Sequence, residues 1–188
     1  MGTHPSRKQL RYRGHDYRAP CCVHVTICTH HRQSMFGTVS INGVHLNDAG
    51  EFVADSLQRL HSSTDGIAID TWIVMPDHLH AIIVLGTNAD RDPNTSIPEL
   101  VRTFKMRVMR TWPQGVRLRG WTPYETHLWQ RSYYDTLIRN DAHLETTRAY
   151  ILTNPGRWLE RNRLGSREDD NATQSTSSRT ARQENTIR

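Results

Sequence analysis

The chain has little lysine, few cysteines and no long hydrophobic run. Only Lys8 and Lys105 are lysines among 24 basic residues, so the other 22 are arginines. Cys21, Cys22 and Cys28 are odd in number and contain no Cys-x-x-Cys pair, which favours small core residues in a reducing compartment. No stretch approaches the roughly 18 apolar residues of a membrane span, and no apolar segment of a secretory signal is found near the start. These absences predict a cytoplasmic protein without a membrane partner.

The remaining composition predicts one folded domain with a basic surface. Of 188 residues, 36% are hydrophobic, which is enough for a single domain with a real core. The net charge of +5 and the pI near 9.4 favour a polyanionic partner, with nucleic acid first. The planar guanidinium of arginine suits phosphate recognition, but a coding bias towards arginine explains the shortage of lysine equally well.

Composition also divides the chain into three parts. Residues 1–20 form a basic arm, for which solvated disorder and contact with phosphates are both open interpretations. Residues 21–160 alternate between strand and helix patterns and are predicted to form the domain. Residues 161–188 are rich in Ser, Thr, Asn and Arg, so they are predicted to be a disordered polar tail because they cannot bury enough apolar surface.

Periodicity and turn signals predict the elements of the domain. Strands are expected at 22–29, 67–75, 78–85 and 129–138, with a β-hairpin at 35–46 that turns near Asn42-Gly43. Three helices are expected, one from residue 47 or 48, one over 96–112 and one from residue 140 or 141 until Pro155 ends it. Asp48 and Glu51 are a candidate capping pair for the first helix, and an irregular loop is predicted at 114–124.

His78 and His80 begin the predicted strand 78–85 and are separated by one residue. Side chains two residues apart on a strand point to the same face, about 7 Å apart at Cα, so two imidazoles can converge on one metal ion. Leu79, Ala81 and Ile83 alternate with them and indicate that the opposite face packs on a core. One surface histidine and one hydrogen-bonded histidine is the alternative interpretation, because the chain has 11 histidines.

Tyr150 and Asn154 lie four residues apart, one turn from each other on one face of the third predicted helix. If that helix packs across the sheet near the histidine pair, a phenol and an amide oxygen would point at the same metal. A buried tyrosine followed by an Asn-Pro helix stop also explains this segment.

Five segments, taken in order and with their spacing, resemble the REP-associated tyrosine transposases, relatives of the single-tyrosine transposases in the HUH endonuclease superfamily. The segments are Thr26-Ile27-Cys28-Thr29-His30, Trp72–His80, Trp129–Asp135, Ile138-Arg139-Asn140 and Tyr150–Pro155. The resemblance covers about residues 10 to 160. It implies a single α+β domain with a central antiparallel sheet of the ferredoxin-like or HUH type and packed helices.

The resemblance also implies roles for particular residues. His78, His80 and Asn154 are expected to be metal ligands, and Tyr150 is expected to be the nucleophile. Ligand type alone allows Zn²⁺ or Mn²⁺ at two imidazoles, whereas the resemblance favours Mg²⁺ or Mn²⁺. The chain departs from the family pattern at Thr136, where many relatives have histidine, and at Asp77, where asparagine is more usual; neither is expected to touch the ligand set.

The activity implied is cleavage and transfer of single-stranded DNA beside a hairpin, through a 5′-phosphotyrosine and a free 3′-OH. Such a protein, a monomer or a homodimer, would associate with the nucleoid when bound to DNA. His24, His30 and His31 are candidate proton acceptors. Candidate contacts with DNA phosphates are Arg11, Arg13, Arg102, Lys105, Arg131 and Arg139.

Two other functions are compatible with the sequence. A domesticated protein could bind hairpin DNA without cutting it. A metal hydrolase or oxygenase could use the histidine pair with a carboxylate, for which Asp70 and Asp77 are candidates. Tyr133 and Tyr134 are rival nucleophiles, but their strand pattern favours one core and one surface side chain.

Overall fold

The computed structural model describes residues 16–62, 66–87, 92 and 95–161. In chain order its strands and helices are β1 Cys21–Cys28, β2 Gly37–Ser40, β3 Gly43–Leu46, α1 Asp48–Ser62, β4 Ile67–Met75, β5 His78–Leu85, α2 Ile97–Arg119, β6 Tyr134–Ile138 and α3 Asp141–Leu152. A short 3-10 turn, His30–Arg32, follows β1.

Four strands form one sheet in the order β4-β5-β1-β6, and every neighbouring pair is antiparallel. Apart from the separate β2–β3 hairpin, the path β1-α1-β4-β5-α2-β6 is the ferredoxin-like βαββαβ arrangement. The predicted α+β class with a central antiparallel sheet is therefore confirmed, as is the hairpin.

The two faces of the sheet are covered by different helices. Val23, Val25 and Ile27 of β1 are buried with the alternate apolar residues of β5 in the main core, to which α1 and α2 contribute. The opposite face packs on α3, where Ile82 and Ile151 belong to a second, smaller core. Because side chains alternate along a strand, the histidines of β5 lie on the α3 face.

Helix α1 begins at Asp48, within the predicted range, but its cap differs from the prediction. Oδ1 of Asn47 accepts the backbone N–H three residues ahead at 2.9 Å, so Asn47 is the cap and the proposed capping pair of Asp48 and Glu51 is wrong. The carboxylate of Asp48 instead accepts hydrogen bonds from Arg119 and from the indole N–H of Trp121. This contact joins the beginning of α1 to the end of α2.

Helix α2 is longer than predicted and includes part of the expected loop 114–124. It continues past Pro113, a residue that usually interrupts a helix. The ring of Trp121 packs directly on Gly115, where a Cβ would lie 2.1 Å from the ring. Gly120, with φ of 68°, then ends the helix in the left-handed conformation that glycine adopts readily. Tertiary packing of Trp121 thus sets the end of α2.

The last strand is shorter than predicted and the last helix is not ended by proline. Trp129 makes only an isolated bridge with Thr29, and β6 begins at Tyr134. Asn140 caps α3, as predicted, by accepting the backbone N–H of His143 at 2.8 Å. Helix α3 ends at Leu152, but residues 154–161 are helical again, so the proline lies in the first turn of a new helical segment.

Several predictions concern residues outside this description. Most of the basic arm (1–15) and nearly all of the polar tail (162–188) lie outside it, so their proposed states stay predictions.

The three cysteines are not disulfide-bonded, but only Cys28 is buried, so Cys21 and Cys22 are half-buried rather than full core residues. Within the part of the chain that the structure describes, no helix has the length and apolar character needed to cross a membrane.

Candidate metal and tyrosine site

His78 and His80 converge on the α3 face of the sheet. Both residues are buried, with exposed fractions of 2% and 4%, and their Nε2 atoms lie 3.2 Å apart. When two nitrogens bind the same ion at about 2.1 Å, the two nitrogens lie about 3 Å apart. The pair therefore has the spacing of two ligands of a single cation.

The other ring nitrogen of each histidine has its own partners. Nδ1 of His78 lies 2.5 Å from a carboxylate oxygen of Asp77, so it carries the proton that this oxygen accepts. Nδ1 of His80 lies 2.9 Å from Oγ1 of Thr26 and 3.1 Å from Nε2 of His24, either of which can accept a proton. With both protons on Nδ1, the two Nε2 lone pairs face each other, an arrangement that favours a cation between them.

Asn154 reaches the same point from the start of the helical segment 154–161. Its Nδ2 lies 3.2 Å from Nε2 of His80, while its Oδ1 is buried without a hydrogen-bond partner. A buried unsatisfied carbonyl is costly, and rotation of the amide about its last torsion exchanges the two atoms. The residue can thus offer an oxygen to a cation held by the two histidines, and the three side chains fit a divalent metal.

Burial keeps the imidazoles of His80 and His24 neutral. Burial, together with the neighbouring charges of His78 and His24, lowers the pKa of His80 to about 2. Burial and the charge of His143 lower the pKa of His24 to about 4. A metal-binding imidazole must be unprotonated, so these surroundings favour the ligand form at neutral pH.

Lowering the pH from 7 to 5 should destabilise the metal-free protein. An unfolded His80 takes up a proton below its ordinary pKa of 6.5, whereas the folded one does not, so this group removes about 2 kcal/mol of stability by pH 5. Urea unfolding with a chelator present measures the loss. His80→Gln should reduce the pH dependence of the free energy of unfolding. His45→Gln, at an exposed residue of β3, should leave it unchanged. Equal pH dependence in His80→Gln and wild type would contradict this interpretation.

Asp70 and Asp77, the two candidate carboxylate ligands, are engaged with other partners. Asp77 contacts the nitrogen of His78 that faces away from His80, which corrects the expectation that it would not touch the ligand set. Asp70 pairs with Arg148 at 2.8 Å, and that hydrogen bond holds the pKa of Asp70 below its usual range. Among the described residues no group of three His, Cys, Asp or Glu side chains could hold a metal. The contacts of both aspartates disfavour the hydrolase or oxygenase interpretation.

Tyr150 lies beside the histidines on the last turn of α3. Its half-buried ring is 5.4 Å from the ring of His80 and 5.9 Å from that of His24, centre to centre. The guanidinium carbon of Arg157, on the helical segment 154–161, is 5.0 Å from the centre of the phenol ring. The structure thus brings Tyr150 and Asn154 together at one histidine.

The rival tyrosines have different surroundings. Tyr133 is buried at 6% exposure and Tyr134 is 53% exposed, which agrees with the predicted division into core and surface. Tyr134 pairs with Thr26 across the sheet, so it shares the face of the sheet that bears the histidines. It is therefore the most informative control for Tyr150.

Of the three candidate proton acceptors, only His24 contacts the site. His30 and His31 lie on the turn after β1, where the ring of His30 is 5.5 Å from that of His127. Thr136 is exposed and pairs directly with His24 in the sheet. Thr136, where the chain departs from the family pattern, therefore lies on the same face of the sheet as the proposed ligands but beyond them along the strands.

The candidate phosphate contacts lie on both sides of the sheet. Arg102, Lys105 and Arg131 line one open groove of about 360 Å³ beside α2. Nζ of Lys105 donates to the carbonyls of Gln130 and Ser132 at 2.8 and 3.1 Å, and burial lowers its pKa to about 8.

Arg139 lies instead in a groove of about 380 Å³ with Thr136 and His143, on the α3 side. Arg11 and Arg13 lie outside the described residues.

Sequence reasoning did not assign roles to Thr26, Arg32, Arg157 and Arg161, and it considered Asp77 only as a candidate carboxylate ligand. Thr26 contacts the site only because β1 pairs with β5 in the observed register. Arg157 and Arg161 approach it only because residues 154–161 are helical, and the charge of Arg161 contributes to the lowered pKa of His80. Spacing alone contains no signal for these contacts.

The comparisons with known proteins agree with this architecture. The model of the IS200-like transposase family matches residues 18–154, a span that includes the histidine pair, Tyr150 and Asn154. An uncharacterized protein of Haemophilus influenzae is 26% identical over 163 residues, which cover 81% of this chain and 89% of that protein. A solved structure of a REP-associated tyrosine transposase bound to a REP hairpin has a TM-score of 0.54 at 20% identity, covering 78% of this chain and 73% of that one.

The antiparallel sheet with packed helices is the fold of a tyrosine transposase, and the solved structure shares it. The chain belongs to the IS200-like transposase family, whose function is the processing of DNA. The family predicted from the sequence segments is confirmed.

Proposed function

We propose that this transposase is a metal-dependent endonuclease and strand transferase of single-stranded DNA, acting at hairpin sequences through a covalent 5′-phosphotyrosine on Tyr150. The observation that supports this most strongly is the convergence of His78, His80 and Asn154, with polar atoms 3.2 Å apart, beside the phenol of Tyr150. These side chains come from two segments, 78–80 and 150–154, that are distant from each other in the sequence. Membership of the IS200-like family adds DNA as the partner.

His78 and His80 would hold a divalent cation through their Nε2 atoms, and Asn154 through its amide oxygen. Mg²⁺ or Mn²⁺ is proposed, because an amide oxygen suits both ions and Mn²⁺ also accepts imidazole. When bound, the cation polarises the scissile phosphate and offsets the charge that develops on its oxygens. The protein's part is to keep His80 neutral and to orient both imidazoles.

Tyr150 provides the nucleophile. Its Oη forms a bond to the scissile phosphorus while the bond to the 3′ oxygen breaks, and the phenol proton is lost as the released 3′ oxygen gains one. The step exchanges a phosphodiester of DNA for a tyrosyl phosphodiester. Because one phosphodiester replaces another, a 3′-OH can reverse the step or join a new strand without ATP. Arg157 and Arg161 place positive charge beside this reaction.

The proposed substrate is single-stranded DNA next to a hairpin. The related solved structure contains a REP hairpin, and the exposed arginines on this chain suit contacts with the phosphates of a flexible strand. The basic grooves on the two sides of the sheet allow DNA contacts beyond the cleavage site.

Incubation of the full chain with end-labelled hairpin DNA and Mn²⁺ or Mg²⁺ tests this function. The expected product is a protein–DNA adduct that survives denaturant, together with a released strand ending in a 3′-OH. Binding of the hairpin with no adduct under either metal would contradict cleavage and indicate the non-cleaving binding protein instead.

Neutralising Arg139 should weaken hairpin binding evenly across DNA sequences and reduce the slope of log affinity against log salt by about one unit. Arg139 is exposed and lines the groove that contains Thr136 and His143. Arg117→Gln is the matched control, because it removes the same charge from an exposed arginine of α2 that lines neither groove. Binding titrations at several salt concentrations measure both; an unchanged salt slope in Arg139→Gln would leave it an ordinary surface charge.

A further inference from the structure

Asp77 lies between Arg32 and His78 and uses both carboxylate oxygens. Oδ1 accepts the proton on Nδ1 of His78 at 2.5 Å, and Oδ2 accepts from Nε of Arg32 at 2.9 Å. The side chain of Asp77 is only 11% exposed, whereas that of Glu99 in a surface pair is 47% exposed. An ion pair whose carboxylate is shielded from solvent therefore ends directly on a proposed metal ligand.

The turn that presents Arg32 has an unusual backbone. His31 and Arg32 have φ values of 53° and 57°, in the left-handed region that residues with a side chain rarely adopt. The hydroxyl of Thr29 lies 2.8 Å from the carbonyl of Gln33 and 2.9 Å from the carbonyl of Asp77, which ties the turn to the start of β5. The contacts that maintain this conformation thus converge on Asp77.

We infer that Asp77 and Arg32 are positioning residues that orient His78 for the metal. This inference rests on the proposed function and deepens it, because it assigns a task to two residues outside the proposed ligand set. By accepting the Nδ1 proton, Asp77 keeps His78 in the tautomer whose Nε2 lone pair faces His80. Its negative charge also makes Nε2 a stronger donor, and Arg32 holds the carboxylate in the plane that the bond requires.

A merely structural role is the competing explanation, in which the pair only fastens the 3-10 turn to the strand. The two explanations differ in what the metal-free protein shows. A structural role predicts that substitutions change the unfolding temperature alone. A positioning role predicts a change in the ring proton of His78 and in metal affinity.

The first measurement is the tautomer of His78 in metal-free protein, from ¹⁵N-labelled histidine spectra assigned with His78→Gln. Wild type and Asp77→Asn should both show the proton on Nδ1, because an amide oxygen also accepts it. Asp77→Ala should shift the population towards the Nε2-protonated form. If Asp77→Ala does not fold, Arg32→Gln provides the second variant, with a smaller shift in the same direction.

The second measurement is Mn²⁺ affinity by calorimetry, with no DNA present. Asp77→Ala should weaken binding about 10- to 100-fold, and Asp77→Asn should lie between it and wild type because only the charge is lost. Asp48→Asn is the matched control. It removes the same charge from a carboxylate that also pairs with an arginine, Arg119, and contacts no proposed ligand.

The outcomes separate this inference from the proposed function. Wild-type tautomer and Mn²⁺ affinity in Asp77→Ala, together with lost binding in His78→Ala, would overturn the positioning role and leave the metal site intact. Unchanged Mn²⁺ binding in His78→Ala would overturn both. A shifted tautomer with weakened binding in Asp77→Ala, and neither change in Asp48→Asn, supports the inference.

Discussion

Tyr150→Phe should eliminate the covalent protein–DNA adduct and leave hairpin binding close to the wild-type level. The substitution removes only the phenol oxygen, and transesterification needs a nucleophile that remains bonded to the phosphate. The ring itself is kept, so its packing near His80 and beneath Arg157 is preserved. Denaturing gel electrophoresis of labelled hairpin DNA measures the adduct, and a binding titration measures the affinity.

Tyr134→Phe and Tyr133→Phe are the controls for this experiment. Tyr134 is on the same face of the sheet and is well exposed, so it can reach DNA; Tyr133 is buried in the main core. Both variants should form the adduct at wild-type yield. An adduct that persists in Tyr150→Phe, or that mass spectrometry maps to Tyr134, would refute the assignment of the nucleophile.

Replacing His78 and His80 together with alanine should abolish cleavage of hairpin DNA while DNA binding persists. The double variant removes two of three proposed ligands, which leaves Asn154 alone and unable to hold a divalent ion. Both imidazoles lie on the α3 face, outside the main core, so the loss of packing falls on the smaller α3 side of the sheet. Cleavage assays with Mn²⁺ or Mg²⁺, and calorimetry with Mn²⁺ alone, measure the two effects.

A chelator should abolish cleavage by the wild-type protein, and added Mn²⁺ or Mg²⁺ should restore it. His45→Ala is the control variant, because this histidine is exposed on β3 and far in sequence from the site. Circular dichroism checks that the double variant is folded. Undiminished cutting by a folded double variant would exclude this histidine pair as the metal site.

The sequence by itself determined the secondary structure that surrounds the site. Alternation along 78–85 predicted both faces of β5, because successive side chains of a strand point to opposite faces of the sheet. The capping residue Asn140 and the turn at Asn42-Gly43 act locally, so their effect is readable without a partner segment. The meeting of Tyr150 and Asn154 at the histidine pair followed from the family resemblance, although the two residues lie on successive helical segments and not on one helix as predicted.

The predicted boundaries failed where distant residues decide them. Pro113 and Pro155 are local signals for a helix end, yet α2 continues because Trp121 packs on Gly115, and the chain is helical again from residue 154. The strand predicted from residue 129 pairs continuously only from Tyr134, because the preceding segment contacts β1 through one bridge. Such interactions join residues that are not neighbours in the sequence, so local propensity cannot predict them.

Only the tertiary structure decided what surrounds the ligands. Thr26 and His24 meet His80 because of strand register, and Arg32 meets Asp77 because two consecutive residues adopt left-handed backbone angles. Asp77 was not expected to touch the ligand set, but it lies in the turn before β5 and contacts Nδ1 of His78. The identity of the ligands is thus a matter of residue type and spacing, whereas their orientation and charge depend on contacts that exist only in the folded chain.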